Sequence, residues 1–387
     1  MKNIFKLFAI LFLSFLLACS EEPPTNINNE SLSKKPVPPG PPAPLVLLEN
    51  ANQIVGCFGS LTVWTYGSGT YAKSWEKSGN YPLAAIGDVD SDGNDELVAV
   101  FVYETGNGRN KVTHTVIQIF ENGDINPSRT SADFNEGGVN AFTYMRLGDA
   151  NNAGAVEIML THMNFLSVHK DDGSATTILW KSEDLSAVDP FSIDAGDVDN
   201  DGQNEIIYAE LGGQRFGVYE YLGNNNWGDK VYSETIPCGL DRAFVADVDE
   251  DGVNEVVGGG CASKLFVWEQ INGNYVISFQ SADLGGYTQG VAAGDFDDDG
   301  INEIAVGTAF TNDKVYVFKF NGTTYSIVFE ESINGSVNDM FAGDSDNDGI
   351  DEIVIATDEN LFVYDYNGTT YSQTYSSPGG FSHVVVK

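Results

Sequence analysis

Gly294-Asp-Phe-Asp-Asp-Asp-Gly-Ile-Asn-Glu303 is an acidic loop set between apolar runs, and its pattern, D-x-D-x-D-G-x-x-E, decides how the chain is read. Counting Asp295 as position 1 and Glu303 as position 9, the pattern returns at Asp88–Glu96, Asp197–Glu205, Asp247–Glu255 and Asp344–Glu352. A damaged copy runs from Asp149 to Glu157. The first aspartates lie at 88, 149, 197, 247, 295 and 344, in steps of 61, 48, 50, 48 and 49. A fixed period near this length means a stack of supersecondary units, whose content decides the architecture.

Each unit reads as four strands. Around the 295 loop these are a short apolar segment (Gly290–Gly294), a β-branched run (Glu303–Val306), an alternating strand (Lys314–Phe320) and Tyr325–Phe329. The third strand recurs as Leu61–Trp64, Phe216–Tyr219, Leu265–Trp268, Val315–Phe318 and Leu361–Tyr364. Asn-Gly at 122–123, 272–273, 321–322 and 367–368 predicts two-residue hairpins before the fourth strand, because both central residues of a type I′ turn need positive φ. Gly67, Asp172-Gly173 and Gly223-Asn224 stand in the remaining units. No segment after the N-terminus carries a sustained helical period, so the fold class is all-β.

The two ends give the number of units. Asn52-Gln53-Ile54-Val55 reads like Asn302-Glu303-Ile304-Ala305, a second strand, whereas Phe381–Lys387 reads like a first strand. Half-units that complete each other predict ring closure, which leaves only short, protected edges. The expectation for residues 51–387 is a seven-bladed β-propeller of four-stranded blades, closed by pairing the N- and C-terminal half-blades.

In the loops, side-chain oxygens fall at positions 1, 3, 5 and 9, a glycine permits the sharp turn at position 6, and position 7 offers its carbonyl. That is an oxygen donor set suited to Ca²⁺, whereas Mg²⁺ keeps more of its water. The candidate ligands are Asp88, Asp90, Asp92, Asn94 and Glu96; Asp197, Asp199, Asp201, Gln203 and Glu205; Asp247, Asp249, Asp251, Val253 and Glu255; Asp295, Asp297, Asp299, Ile301 and Glu303; and Asp344, Asp346, Asp348, Ile350 and Glu352. Clustered carboxylates repel by several kcal/mol, roughly 4 for a pair about 4 Å apart, and call for cations. The EF-hand is excluded, since its glutamate comes at position 12 between helices. In the damaged copy Asn151 and Ala153 replace aspartates, so weak metal binding or none is expected there.

These loops resemble the calcium-binding propeller repeats called FG-GAP and VCBS, found in integrin α-subunits and in many bacterial surface proteins. The resemblance covers residues 51–387 and implies about five structural Ca²⁺ ions, one per intact loop, between the first and second strands of a blade. The Gly-Ala-Pro segment that helps name the FG-GAP repeat is missing, which places the chain nearer the VCBS type and leaves integrin-style partner recognition behind.

Residues 1–18 have the layout of a signal peptide, Lys2 and Lys6 before the apolar run Leu7–Leu17. Leu16-Leu17-Ala18-Cys19 resembles the lipobox of bacterial lipoproteins, which implies a lipidated Cys19 and attachment to the outer membrane. Ser20-Glu21-Glu22 looks like the acidic surface-export signal of Bacteroidetes lipoproteins. Residues 19–50 form a tether: eight of the 13 prolines lie between 20 and 47, a composition that builds no core.

The net charge of −37 argues against nucleic acid and anionic membrane surfaces as partners. Of the cysteines beyond Cys19, Cys238 and Cys261 flank one predicted hairpin and read equally as a disulfide or as two thiols; Cys57 is left over. The four histidines form no zinc pair, and no G-x-S-x-G elbow is present. Function on such a scaffold belongs on the more variable face opposite the loops. Candidates there are Asp241, Arg242, Gln289, Asn338, Asp339 and His383, with Tyr81, Tyr287 and Phe310 as aromatic surface suited to a sugar. The favoured reading is a monomeric surface module that binds a glycan or protein ligand. The alternatives are a polysaccharide-acting enzyme such as a lyase and a structural component of an outer-membrane assembly.

Overall fold

The computed structural model describes residues 53–121, 126–134 and 142–387. The signal peptide, Cys19 and the Pro-rich tether lie outside the described residues, as does the Asn122-Gly123 turn.

Seven four-stranded antiparallel sheets form the seven blades of a β-propeller. Blade 1 joins the C-terminal strand His383–Val386 to Gln53–Cys57, Ser60–Gly67 and Thr70–Ser78. Its seam pairs Ile54 with Val386 and Cys57 with His383. Blades 2 to 7 begin at Leu83, Phe142, Pro190, Leu240, Tyr287 and Val337 and follow the chain as simple meanders. First strands of neighbouring blades pack against one another around the central channel.

Seven apolar clusters fill the seven interfaces between blades. Between blades 6 and 7, Ala305, Val315 and Val317 meet Met340, Ile353 and Ile355, each buried completely. Residues of both pleat faces are buried along the second and third strands, as expected for a sheet packed between two others. Close approach fixes small residues at the strand ends: a Cβ on Gly196 would sit 2.6 Å from Val245 of the next blade. The fourth strands are outermost, and in six blades their pairing is interrupted by a bulge at the same place, for example between Val317 and Phe318. Such a bulge twists the outer edge and discourages pairing with other chains.

The hairpin expectation needs correction at two sites. Asn272-Gly273 is a two-residue turn with φ of 53° and 79°, and Ile271 pairs with Asn274. At Asn321 and Asn367 the turn has four residues instead, since Phe320 pairs with Tyr325 and Tyr366 with Tyr371. The cause is the asparagine side chain. Oδ1 of Asn321 accepts the amides of both Thr323 and Thr324, a local arrangement that competes with the ladder. Cys238 and Cys261 form a disulfide across the ends of the first two strands of blade 5, with Cα atoms 5.5 Å apart.

Candidate metal centres

Each acidic loop is wound around its position-1 aspartate. One carboxylate oxygen accepts the amide of the position-6 glycine at 2.9–3.1 Å in all five complete copies. The position-5 aspartate accepts the amide of position 7, where Asn94, Gln203, Val253, Ile301 and Ile350 stand. The position-9 glutamate turns one oxygen back to the amide of position 2, at 2.6–3.1 Å. Position 2 is apolar or Ser345 and is buried, so it pins the loop to the blade interface. Position 4 is left-handed in every copy, as at Ser91 (φ 62°) and Asn347 (φ 64°). The pattern D-x-D-x-D-G gave no signal for that second left-handed residue.

The winding brings carboxylates together. Oxygens of Asp344, Asp346, Asp348 and Glu352 lie within 4.8 Å of one another, as do those of Asp88, Asp90 and Glu96, of Asp197, Asp199 and Glu205, of Asp247, Asp249 and Asp251, and of Asp295, Asp297 and Asp299. The 344 loop fits a cation best. Oε1 of Glu352, Oδ1 of Asp346 and Oδ1 of Asp365 are buried there without a hydrogen-bond donor. Burial, with neighbouring carboxylates adding to it, pushes the Glu352 carboxyl up to about 8. Glu205 and Glu255 are likewise raised to about 8, and Glu96 to about 7, by burial first and by loop aspartates second. Oxygens that lack donors and repel each other suit a hard divalent ion with flexible coordination, which Ca²⁺ is. Asp365 lies on the third strand, and the loop pattern did not point to it.

Two loops differ. In the damaged copy Asn151 donates its amide to Glu157 Oε1 at 2.7 Å, so the glutamate is satisfied without a metal. In the 295 loop, the ammonium of Lys319 lies 2.6 Å from Asp297, 2.7 Å from Asp299 and 2.8 Å from Glu303. A further basic group touches the 88 loop: Arg129 donates to Asp90 at 3.1 Å and also pairs with Glu121 and with Asp171 of blade 3.

Position 8 links the loops into a chain around the ring. Asn204 Nδ2 donates to the Asp149 carbonyl of the preceding blade at 2.8 Å, Asn254 to Asp197 at 2.9 Å and Asn302 to Asp247 at 2.8 Å. Where the ring closes, Asp95 at position 8 instead pairs with Lys387 at 3.1 Å.

Of the six candidates on the opposite side, Asp241, Arg242, Gln289, Asp339 and His383 are buried and Asn338 is half-buried. His383 Nδ1 meets Asp339 at 2.5 Å and Nε2 meets the Ala84 carbonyl at 3.0 Å; Arg242 donates to the Asn338 carbonyl at 3.2 Å and lies 4.6 Å from the Tyr144 ring centre. Burial alone would raise Asp339, but His383 and Arg242 outweigh it and hold the carboxyl below its usual range. Asp241 is hydrogen-bonded by Tyr287, and burial pushes its carboxyl up to about 7. Tyr81 is also buried, its hydroxyl donating to Gln118 at 2.9 Å. Arg242, Tyr144, Asn338, Asp339 and His383 thus connect blades 5, 3, 7 and 1. Toward the acidic loops the channel holds a cavity of about 230 Å³ lined by Arg146, Asp194, Phe244 and Phe341.

No protein-family model matches this chain, and no curated protein matches it in sequence. Solved structures do match. A protein provisionally named 6-phosphogluconolactonase from Bacteroides uniformis superposes with a TM-score of 0.61 at 12% identity, over 88% of this chain and 100% of that one. An Agrocybe aegerita lectin that recognises non-reducing terminal N-acetylglucosamine gives 0.54 at 16%, over 89% and 92%. A chain of the mitotic checkpoint complex gives 0.53 at 11%, over 93% and 90%. What they share with this chain is the propeller. At these identities the likeness establishes the fold and nothing finer.

Proposed function

We propose that this chain is a lipid-anchored surface protein whose propeller, held by calcium at its acidic loops, binds a glycan or protein ligand on the face opposite those loops. The observation that carries the reading is Phe310. It lies in the connection between the second and third strands of blade 6, is 52% exposed, and has a φ of 71°, which an aromatic residue rarely adopts. Tyr287 stands edge-on to it at 5.8 Å. Phe58 and Tyr103 expose rings on the same side of blades 1 and 2. Exposed aromatic rings set on a rigid scaffold are what sugars and protein hot spots stack on. The lectin among the structural neighbours supports the glycan arm of the reading.

The test is a glycan array probed with the mature chain in calcium and in chelator, with Phe310→Ala in parallel. Binding that is lost in the variant while its melting temperature holds is the expected result. Equal binding by both proteins sinks the assignment of this face. The enzyme reading draws on Asp241, a buried carboxylic acid beside Tyr287; product release from arrayed polysaccharides would establish it. Anchoring is tested separately, by palmitate incorporation that is lost in Cys19→Ser.

A further inference from the structure

In blades 2 to 7 the third strand sets one residue directly opposite the glutamate that closes the acidic loop. The ladder fixes this register: Ile304 pairs with Phe318, Val256 with Trp268, Ile206 with Tyr219 and Ile353 with Tyr364, each pair one step from the glutamate. Glu303 therefore faces Lys319, Glu255 faces Glu269, Glu205 faces Glu220 and Glu352 faces Asp365. By the same step from Leu97–Phe120 and Ile158–His169, Glu96 faces Glu121 and Glu157 faces Lys170. In blade 1 the position is neutral, Gln53 paired with Thr65 and donating to its hydroxyl at 3.2 Å.

Four blades thus set acid against acid, and two set acid against lysine. Like charges directly opposite each other destabilise a sheet, the more so where water is scarce. The acid pairs call for a cation between them, and in blade 7 the oxygens it would take are the ones left without donors, on Glu352 and Asp365. In blade 2 the largely buried side chain of Arg129 pairs with Asp90 and with Glu121 itself, and oxygens of Asp88, Asp90 and Glu96 still converge. Blade 6 supplies its own cation. The Lys319 ammonium touches Asp297, Asp299 and Glu303, the carboxylates of positions 3, 5 and 9, and only a fifth of its side chain is exposed. A divalent ion held by the same oxygens would stand within a few ångströms of that ammonium and be repelled.

We infer that the loop Asp295–Glu303 is closed by Lys319 instead of a metal, and that the third-strand residue opposite the loop glutamate decides which blades take calcium. Blade 3 obeys the same rule: its loop faces Lys170 and has lost two aspartates. The inference rests on the calcium reading of blades 2, 4, 5 and 7, and the count of ions separates the two. Equilibrium dialysis of the whole chain with radioactive calcium is expected to give four equivalents. Asp297→Asn leaves the count at four, Glu352→Gln lowers it to three, and Lys319→Glu, which restores an acid pair, raises it to five. Should Lys319→Glu fail to fold, Asp297→Asn still decides the matter. A wild-type count of five that drops to four in Asp297→Asn overturns the lysine closure. A count of zero overturns the calcium reading together with the selecting role of the third strand.

Discussion

The side-chain amide of Asn302 donates to the main-chain carbonyl of Asp247, 2.8 Å away in the preceding blade. The bond ties position 8 of one acidic loop to position 1 of the loop before it, so loops that look like independent repeats are coupled in pairs around the ring. Asn302→Ala removes the donor and leaves the carbonyl to partial solvation, which costs about 1 kcal/mol. For a domain this large the expected fall in melting temperature is about 2 °C. Asn302→Asp should fall further, because a carboxylate then faces a carbonyl oxygen. Calorimetry of the two variants checks the order.

Glu352 gives a prediction that differs between two buffers. Its folded-state carboxyl is raised to about 8 against an ordinary value near 4.5, so in calcium-free buffer its contribution to stability is fully present below about 4.5 and is lost as pH rises through about 8. At pH 8 in chelator, Glu352→Gln removes a costly buried charge and should stabilise the fold, by something on the order of 1 kcal/mol. In millimolar calcium the wild type gains about 1 kcal/mol from the site that the variant forfeits, so the advantage of Glu352→Gln should shrink toward zero. A stabilisation of equal size in both buffers contradicts the metal assignment of this loop.

The repeat was legible because a propeller writes its architecture into the period: spacing, third-strand alternation and complementary ends all point to seven blades, and the seam between Ile54 and Val386 is where the sequence placed it. What stayed hidden depends on register between strands. Lys319 lies 16 positions beyond Glu303 along the chain, and only the ladder shows that it enters that loop. Asp365 was hidden in the same way. The candidates opposite the loops are polar residues that the sequence offers as surface, but five of the six are buried among neighbouring blades. Asp339 and His383 satisfy each other there.

Blade 3 carries two histidines whose burial disfavours charge. His169 is lowered to about 4 by desolvation and His162 is also lowered, by desolvation first and by His169 second. Both ring nitrogens Nε2 share the hydroxyl of Ser167, at 2.8 and 2.9 Å. Between pH 6.5 and about 4 the unfolded chain binds protons that the fold refuses, so stability is present above 6.5 and falls as pH drops, at most about 1.4 kcal/mol per pH unit for each histidine. His169→Gln removes one of the two contributions. Denaturation midpoints at pH 7 and pH 5 should converge for the variant relative to the wild type, and parallel pH profiles would contradict the burial argument.

The disulfide closes blade 5 at the end away from its acidic loop. Cys238 precedes Leu240 and Cys261 follows Gly260, the pair at which the ladder of the first two strands ends. With the cysteines 23 positions apart, the bridge restricts the unfolded chain enough to contribute about 3 kcal/mol, and an oxidising compartment such as the one the N-terminal sequence implies would maintain it. Reduction in native buffer, or Cys238→Ser with Cys261→Ser, should lower the denaturation midpoint while the propeller remains folded, because the interface cores of blade 5 do not depend on it. Cys57 is the internal control. It is fully buried, and desolvation pushes its thiol well above the ordinary range, so the thiolate that reagents attack is scarce. Apart from Cys19, a thiol reagent should therefore label nothing in the native oxidised protein, two sulfurs after mild reduction, and three only once the chain unfolds. Labelling of two sulfurs without reductant would show that the bridge is absent in solution.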